Sequence, residues 1–441
     1  MFRNLGDVRR LSRLAVALAL AWMSAGPVWA QGVAGGVDQL FGWVRPQDSD
    51  QPSKLATLRI DLSGGADRNP ERSDAGDLPR DDAAGTLAGS TRYWSGRTDE
   101  FLEVSAAAWG TYQRLAEDTL MGAEFNAQLA REIGQRMGFS VATTGAYRPS
   151  LVFGGGGLMP EAAPTVSEVA HPQGVLTQQW LMAEATTGFF REWTARQRMN
   201  VELTAAHQRP SEGIGLRSRS EALQARHEWA FRERAVLLFS YRFSDNQQSG
   251  LLATRPIRMH AASTGVRVEH RFSPSRSLMM TLAGGPTRVT LPAQDGASAF
   301  YNTALSGWGT LQWTMSRNWS LSGEATRYVS ALDGLTPEPF TTDTGTVTLG
   351  GTVGERYTVA LVGVASQGSS ITASTASFES RSATAQFQYA VARRWVLFGS
   401  YSYYSHRLSD LVALPDTFPQ RFNRHSLRIG LSLGVPLYRG R

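Results

Sequence analysis

The chain has 441 residues, of which 42% are apolar and only 19% charged, with 44 glycines and no cysteine. Its formal charge of +6 is carried by 43 arginines and one lysine, Lys54, too small an excess to mark a polyanion-binding protein. Without cysteine a disulfide-stapled secreted domain is excluded, and the low charge and low hydropathy fit a chain whose apolar residues alternate with Ser, Thr, Gly and Gln.

Residues 1–30 read as a secretory signal peptide. MFRNLGDVRRLSR is basic, Leu14 to Met23 is a short apolar stretch, and Val28-Trp29-Ala30 is a small-residue cleavage site, so a cut after Ala30 is expected. The apolar stretch is too short to span a bilayer. Gln31 follows, so there is no cysteine to lipidate. Loss of this segment removes Arg3, Arg9, Arg10, Arg13 and Asp7, and the remainder carries +3. Residues 31–54 form a polar periplasmic N-terminal segment. No long apolar helix follows, so a membrane location requires a closed β-barrel.

From residue 55 onward the chain repeats one pattern. Segments of ten or so residues alternate apolar with polar side chains, which a pleated strand sends to opposite faces. In Ala235 to Ser244, Ala235, Leu237, Phe239, Tyr241 and Phe243 share one face, and Ser240, Arg242 and Ser244 the other. The pattern predicts strands near 55–63, 86–95, 99–111, 120–130, 137–147, 175–190, 198–207, 220–231, 235–244, 259–272, 276–290, 299–314, 318–329, 343–353, 356–366, 377–391, 394–405 and 422–438. That gives eighteen, with sixteen as the alternative. The first two hairpins and the stretch at Gly284-Gly285-Pro286 carry the weakest pattern.

The connections alternate between short and long. Short ones include 131–136, 232–234, 273–276, 316–318, 354–356 and 392–394. Long ones, rich in Gly, Pro, Asp and Ser, include 64–85, 148–174, 208–219, 245–258, 332–342 and 406–421. Aromatic residues stand beside the short turns: Trp94, Phe190, Trp193, Trp229, Phe231, Trp313, Trp319, Tyr357 and Trp395. Short periplasmic turns, long outer loops and an aromatic girdle describe an all-β transmembrane antiparallel up-and-down barrel, spanning residues 55–438, in the outer membrane of a Gram-negative bacterium. Residues 439–441 would be a short basic tail.

A barrel of this strand number leaves an aqueous lumen unless it is plugged. Strand parity assigns to its wall Arg59, Asp61, Glu124, Asn126, Gln128, Glu202, Arg226, Glu228, Arg242, Arg267, Glu269, Arg271, Glu324, Gln386, Gln388 and Arg428. Both signs are interspersed, which suits neutral or weakly charged hydrophilic cargo. The bland alternative is that these residues hydrate and cross-brace the wall. In the loop 148–174, Phe153, Gly154, Gly155, Gly156, Gly157, Leu158 and Met159 combine flexible backbone with apolar side chains. This segment is the candidate constriction, and a disordered outer loop is the alternative.

Nothing points to catalysis. The seven histidines are scattered without metal-ligand spacing, and no nucleophile elbow or phosphate loop is present. His406 and Asp410, expected in the last loop, are too little for a hydrolytic site. No catalytic residue, metal or cofactor is therefore expected.

The closing region RRWVLFGSYSYYSHRLSD…FNRHSLRIGLSLGVPLY resembles the outer-membrane barrels of exopolysaccharide operons, EpsL-like and Wzp-type. The resemblance rests on a Tyr- and Ser-rich penultimate strand, then a loop, then an R-H-S-L-x-x-G-L-S closing strand. It implies export of a polysaccharide delivered by a separate periplasmic Wza-type protein. The alternatives are a general or solute-specific porin for uptake and a structural or adhesin-like barrel. In every case the outer-membrane assembly machinery and lipid are expected partners.

Overall fold

The computed structural model describes residues 54–68, 81–96, 100–114, 118–134, 136–148, 180–210, 217–249, 255–293, 299–331, 339–372, 376–409 and 421–440. Among these every regular element is a strand. The first six are β1 (Lys54–Arg68), β2 (Asp81–Gly96), β3 (Glu100–Gln113), β4 (Asp118–Glu132), β5 (Met137–Arg148) and β6 (Trp180–Thr194). Next come β7 (Gln197–Pro210), β8 (Arg217–Arg232), β9 (Ala235–Ser249), β10 (Arg255–Ser273), β11 (Arg276–Leu291) and β12 (Phe300–Thr314). The last are β13 (Trp319–Ala331), β14 (Pro339–Val353), β15 (Tyr357–Ser370), β16 (Ser377–Ala392), β17 (Trp395–Leu408) and β18 (Arg421–Gly440).

Each strand pairs antiparallel with its sequence neighbours, and β18 pairs with β1 from Lys54↔Gly440 to Arg68↔His425. The eighteen-stranded sheet is thus closed, so along its ladders the backbone polar groups are satisfied within the wall, as lipid requires. The two faces differ as the alternation demands. On β18, Leu427 and Ile429 are 52% and 60% exposed outward, whereas Arg428 and Ser432 on the inner face are 2% and 0% exposed. Leu62, Leu87, Leu203, Leu282, Leu305 and Leu361 extend the outward apolar band around the barrel. That arrangement is stable only where hydrocarbon covers the outside.

Apart from β6, expected to end at residue 190 and running to Thr194, the turn ends fall within a residue or two of the expected boundaries, whereas most loop ends run further. Residues 64–85 are not one loop: Gly64 pairs with Gly85, and the ladder continues to Arg68↔Asp81. Likewise β9 reaches Ser249, β14 begins at Pro339, and His406 lies inside β17 rather than in a loop. A spanning strand needs about 9–11 residues, so strands of 14 to 16 residues such as β3, β9 and β16 project beyond the bilayer. The ladder there is carried by polar residues that no apolar pattern marks. Strand β6, expected from residue 175, is described from Trp180. Strand β18 runs through Arg439 and Gly440, which pair with Leu55 and Lys54. The doubtful Gly284-Gly285-Pro286 stretch lies within β11. Its ladder with β12 is continuous, but the ladder with β10 skips Gly285 and Pro286, where the proline has no N–H to give.

Two residues expected in the aromatic girdle face inward instead. Phe190 is buried over Gly138, with the Arg198 guanidinium 4.2 Å from its ring centre. Trp94 shares the inner parity of Thr86 and Ala88 and packs near Phe101, ring centres 6.4 Å apart. Position beside a turn does not decide the face, and the strand's parity does. Trp193, Trp229, Phe231, Trp313, Tyr357 and Trp395 are exposed on the outside, and Trp319, paired with Gly351, shares that face.

Candidate functional site

All sixteen residues assigned to the lumen wall stand on the inner face, opposite the exposed apolar band. The fold brings them together in unequal groups. On β1 the Arg59 Nε donates to Asp61 Oδ1 (2.9 Å) and to Ser432 Oγ (2.9 Å). The nearby Arg428 reaches across Gly65 of β1, and its Nη1 donates to Thr86 Oγ1 at 2.9 Å. On β4 the Asn126 amide donates to Glu124 Oε1 (2.8 Å) and accepts from the Thr144 hydroxyl (2.8 Å). Gln128 lies one inward position below.

The charged residues concentrate on β7 to β10. Glu202, Gln224 and Arg242 share one cross-strand row. Asn200, Arg226, Ser240 and Ser263 form the next, and Arg198, Glu228, Leu238 and Gly265 the one after. Arg267 Nη2 donates to Glu228 Oε2 at 2.9 Å, and Arg198 Nε donates to Asn200 Oδ1 at 3.0 Å. Closer to the short turns, Arg271 Nε donates to Glu269 Oε1 at 2.6 Å. On β7 to β10 charges of both signs are interspersed, so this arc is ionic without being strongly anionic or cationic.

By strand count the arc facing these charges is β16 to β1. Its inner face mixes buried hydroxyls and amides (Ser380, Gln386, Gln388, Ser400, Ser402, Ser426 and Ser432) with the apolar Val396 and Phe398 and with the Arg59, Asp61 and Arg428 cluster. Along the neighbouring β14 run Thr342, Thr344 and Thr346, with the hydroxyls of Thr344 and Ser366 2.9 Å apart. Glu324 stands apart on β13, paired with Thr310 and Thr346.

Parity also places an uncharged aromatic residue inside. Trp308 of β12 faces the lumen, and the Arg226 guanidinium lies 5.8 Å from its ring centre. Strands β9, β10 and β11 separate the two, about 19 Å along the wall at ordinary strand spacing. The side chains therefore bridge a chord of the lumen at mid-strand. The wall beneath them is built of small residues: Ser240, Ser263, Gly265 and Ala283. Trp308 was legible from its register with Leu305 and Trp313, both on the opposite parity.

Similar barrels are known. Pseudomonas aeruginosa OpdQ is 9% identical, with 87% of this chain and 98% of that chain covered and a TM-score of 0.43. Acinetobacter baumannii OccAB4 is 10% identical over 88% and 100% of the two chains, with a TM-score of 0.44. The outer membrane protein OpdK from Pseudomonas aeruginosa is 11% identical over 86% and 99%, with a TM-score of 0.40. No family model and no curated protein matches the sequence.

An apolar cluster gathers at the loop end of one side of the barrel. Ile257 and Met259 of β10, Val289 and Leu291 of β11, and Phe300 and Ala304 of β12 gather with Val329 of β13. Ile371, just past β15, packs onto this cluster. Its N–H donates to Pro339 O (3.0 Å), and its carbonyl accepts from Asn302 Nδ2 (3.3 Å). The β15–β16 connection is thereby tied inward to β12, across the segment where the β12–β13 ladder has ended at Gly307↔Arg327. The constriction expected from the sequence, Phe153 to Met159, lies outside the described residues. No group of three metal-ligating side chains occurs among the described residues.

Proposed function

We propose that the chain forms a passive channel across the outer membrane for small hydrophilic solutes. The observation that carries this reading is the lumen wall. Its densely ionic arc on β7 to β10 faces an arc on β16 to β1 that is richer in hydroxyls and amides and holds fewer charges, and the Arg226–Trp308 chord spans the lumen side of β8 to β12. Paired charges beside hydrogen-bonding groups hydrate a polar solute without holding it, and a chord at mid-height sorts by size. The test is reconstitution. The purified barrel in planar bilayers should give stepwise conductance with weak ion preference. Removing Glu202 and Glu228 as Gln should move the reversal potential toward anions, and Arg226 and Arg242 as Gln toward cations. A barrel that passes neither ions nor small sugars would overturn the proposal.

A second reading is export of a secreted exopolysaccharide received from a periplasmic Wza-type protein. It rests on the resemblance of the closing stretch, Arg393 to Tyr438. Deletion of the gene separates the two. Lost surface polysaccharide with normal solute uptake supports export, and the converse supports uptake. Both readings include removal of residues 1–30, which amino-terminal sequencing of the membrane form should show as a chain beginning at Gln31.

A further inference from the structure

The outside of β17 and β18 changes character step by step toward the loop end. Leu397 and Leu431 pair, then Gly399 and Ile429, then Tyr401 and Leu427. Above them Tyr403 pairs with His425, whose Nδ1 lies 2.8 Å from the Tyr401 hydroxyl. Ser405 and Asn423 follow, and Arg407 and Arg421 complete the column, both exposed. Two arginines directly opposite each other on one face repel and need a counter-charge. The neighbouring acid does not supply it. Glu379 pairs with Arg407 in register, but its carboxylate accepts from Arg381 Nη2. Among the described residues no carboxylate contacts Arg407 or Arg421.

The same motif recurs on β9 and β10 with a different ending. Tyr241 hydroxyl lies 2.8 Å from His260 Nδ1, and Phe243 packs on the same imidazole with ring centres 5.0 Å apart. There the arginine in the next row, Arg258, donates to Asp245 at 3.3 Å and is neutralised within the wall. The molecule thus contains a charged and a neutralised version of one column.

We propose that the β17–β18 column binds a phosphorylated lipid of the outer leaflet. Its acyl chains would lie along Leu427, Ile429 and Leu431, and its sugar hydroxyls against His425, Tyr403 and Asn423. A headgroup phosphate would sit between Arg407 and Arg421, with Arg381 alongside. The order of side chains matches the order of groups in such a lipid: hydrocarbon, hydrogen-bonding interface, anion. Arginine pairs hold phosphate bidentately where a diffuse surface charge would not. This site depends on the outside of the wall facing lipid and is independent of what crosses the lumen.

The test uses the folded full-length barrel in detergent, titrated with diphosphoryl lipid A in mixed micelles and followed by native mass spectrometry. The R407Q/R421Q variant should bind roughly tenfold more weakly or worse, and R258Q should bind like wild type. Equal binding by R407Q/R421Q overturns the site, as does an equal loss in R258Q. Inorganic phosphate should compete only at far higher concentration, and competition at the lipid's own concentration overturns the lipid assignment. If R407Q/R421Q does not fold, E379Q decides. It removes the one acid beside the pair among the described residues and should tighten lipid binding, and unchanged binding overturns the proposal. Conductance of all these variants should stay at the wild-type value.

Discussion

The Arg226 guanidinium lies 5.8 Å from the ring centre of Trp308, joining strands β8 and β12 over a floor of small residues. Because the floor is small, no side chain beneath can take the place of either partner. Trp308→Ala should therefore raise single-channel conductance and admit larger sugars in liposome swelling. The stability lost should be modest, about 0.5–1 kcal/mol for a cation–π contact in a hydrated setting. Unchanged conductance would remove the chord from the permeation path.

The seam between β1 and β18 closes the barrel, and Gly65 sits on it beneath Arg428. A Cβ at Gly65 would stand 2.5 Å from the Leu427 carbonyl oxygen and 2.7 Å from Arg428 Cγ. The arginine could move, but the carbonyl belongs to the seam's own ladder and could not. Gly65→Ala should cost about 1–3 kcal/mol and lower the folded fraction seen on cold denaturing gels. Gly64 is the matching control, because a Cβ there meets nothing within 4 Å.

Much of this was legible in the sequence because the wall has a period of two. The parity of Leu427 to Leu437 fixed which face of β18 meets lipid and put Arg428 inside, and the same logic placed Glu124, Arg242 and Gln386. Three kinds of feature escaped it. Polar strand ends such as Asp245 to Ser249 have no apolar partner face to mark them, since above the bilayer both faces meet water. Phe190 and Trp94 stand beside short turns, but their parity points inward. Contacts between strands distant in the wall, such as Arg226 with Trp308 or Asn302 with Ile371, depend on the curvature of the closed sheet, which no local pattern encodes.

The mouth cluster should act as a partial cover. Ile371 is attached to the rim through one backbone and one side-chain hydrogen bond, and its side chain supplies the apolar contact with β10 to β13. Ile371→Asp should detach it, because a carboxylate cannot stay against Ile257 and Val289. Conductance should rise, or fast closures should become rarer, with little change in thermal unfolding. Ile257→Ala goes deeper: the side chain is 1% exposed, so its truncation should cost about 2 kcal/mol or more. Loss of stability without any change in gating would make the cluster packing alone.

The outward face of β18 gives the test of depth. Ile429 lies in the middle of the apolar stripe, and Leu437 near its turn end, and both are exposed on the same face. An arginine at the bilayer midplane of a barrel costs about 2–4 kcal/mol, and near an interface about 0–1. Ile429→Arg should therefore lower the unfolding free energy in lipid vesicles far more than Leu437→Arg does. Neither change creates a cavity or touches the lumen, so the difference between them reports lipid depth alone. Equal costs would mean that the stripe faces a protein partner instead of hydrocarbon. A partner surface has no midplane, and burying a charge against it would not depend on position along the strand.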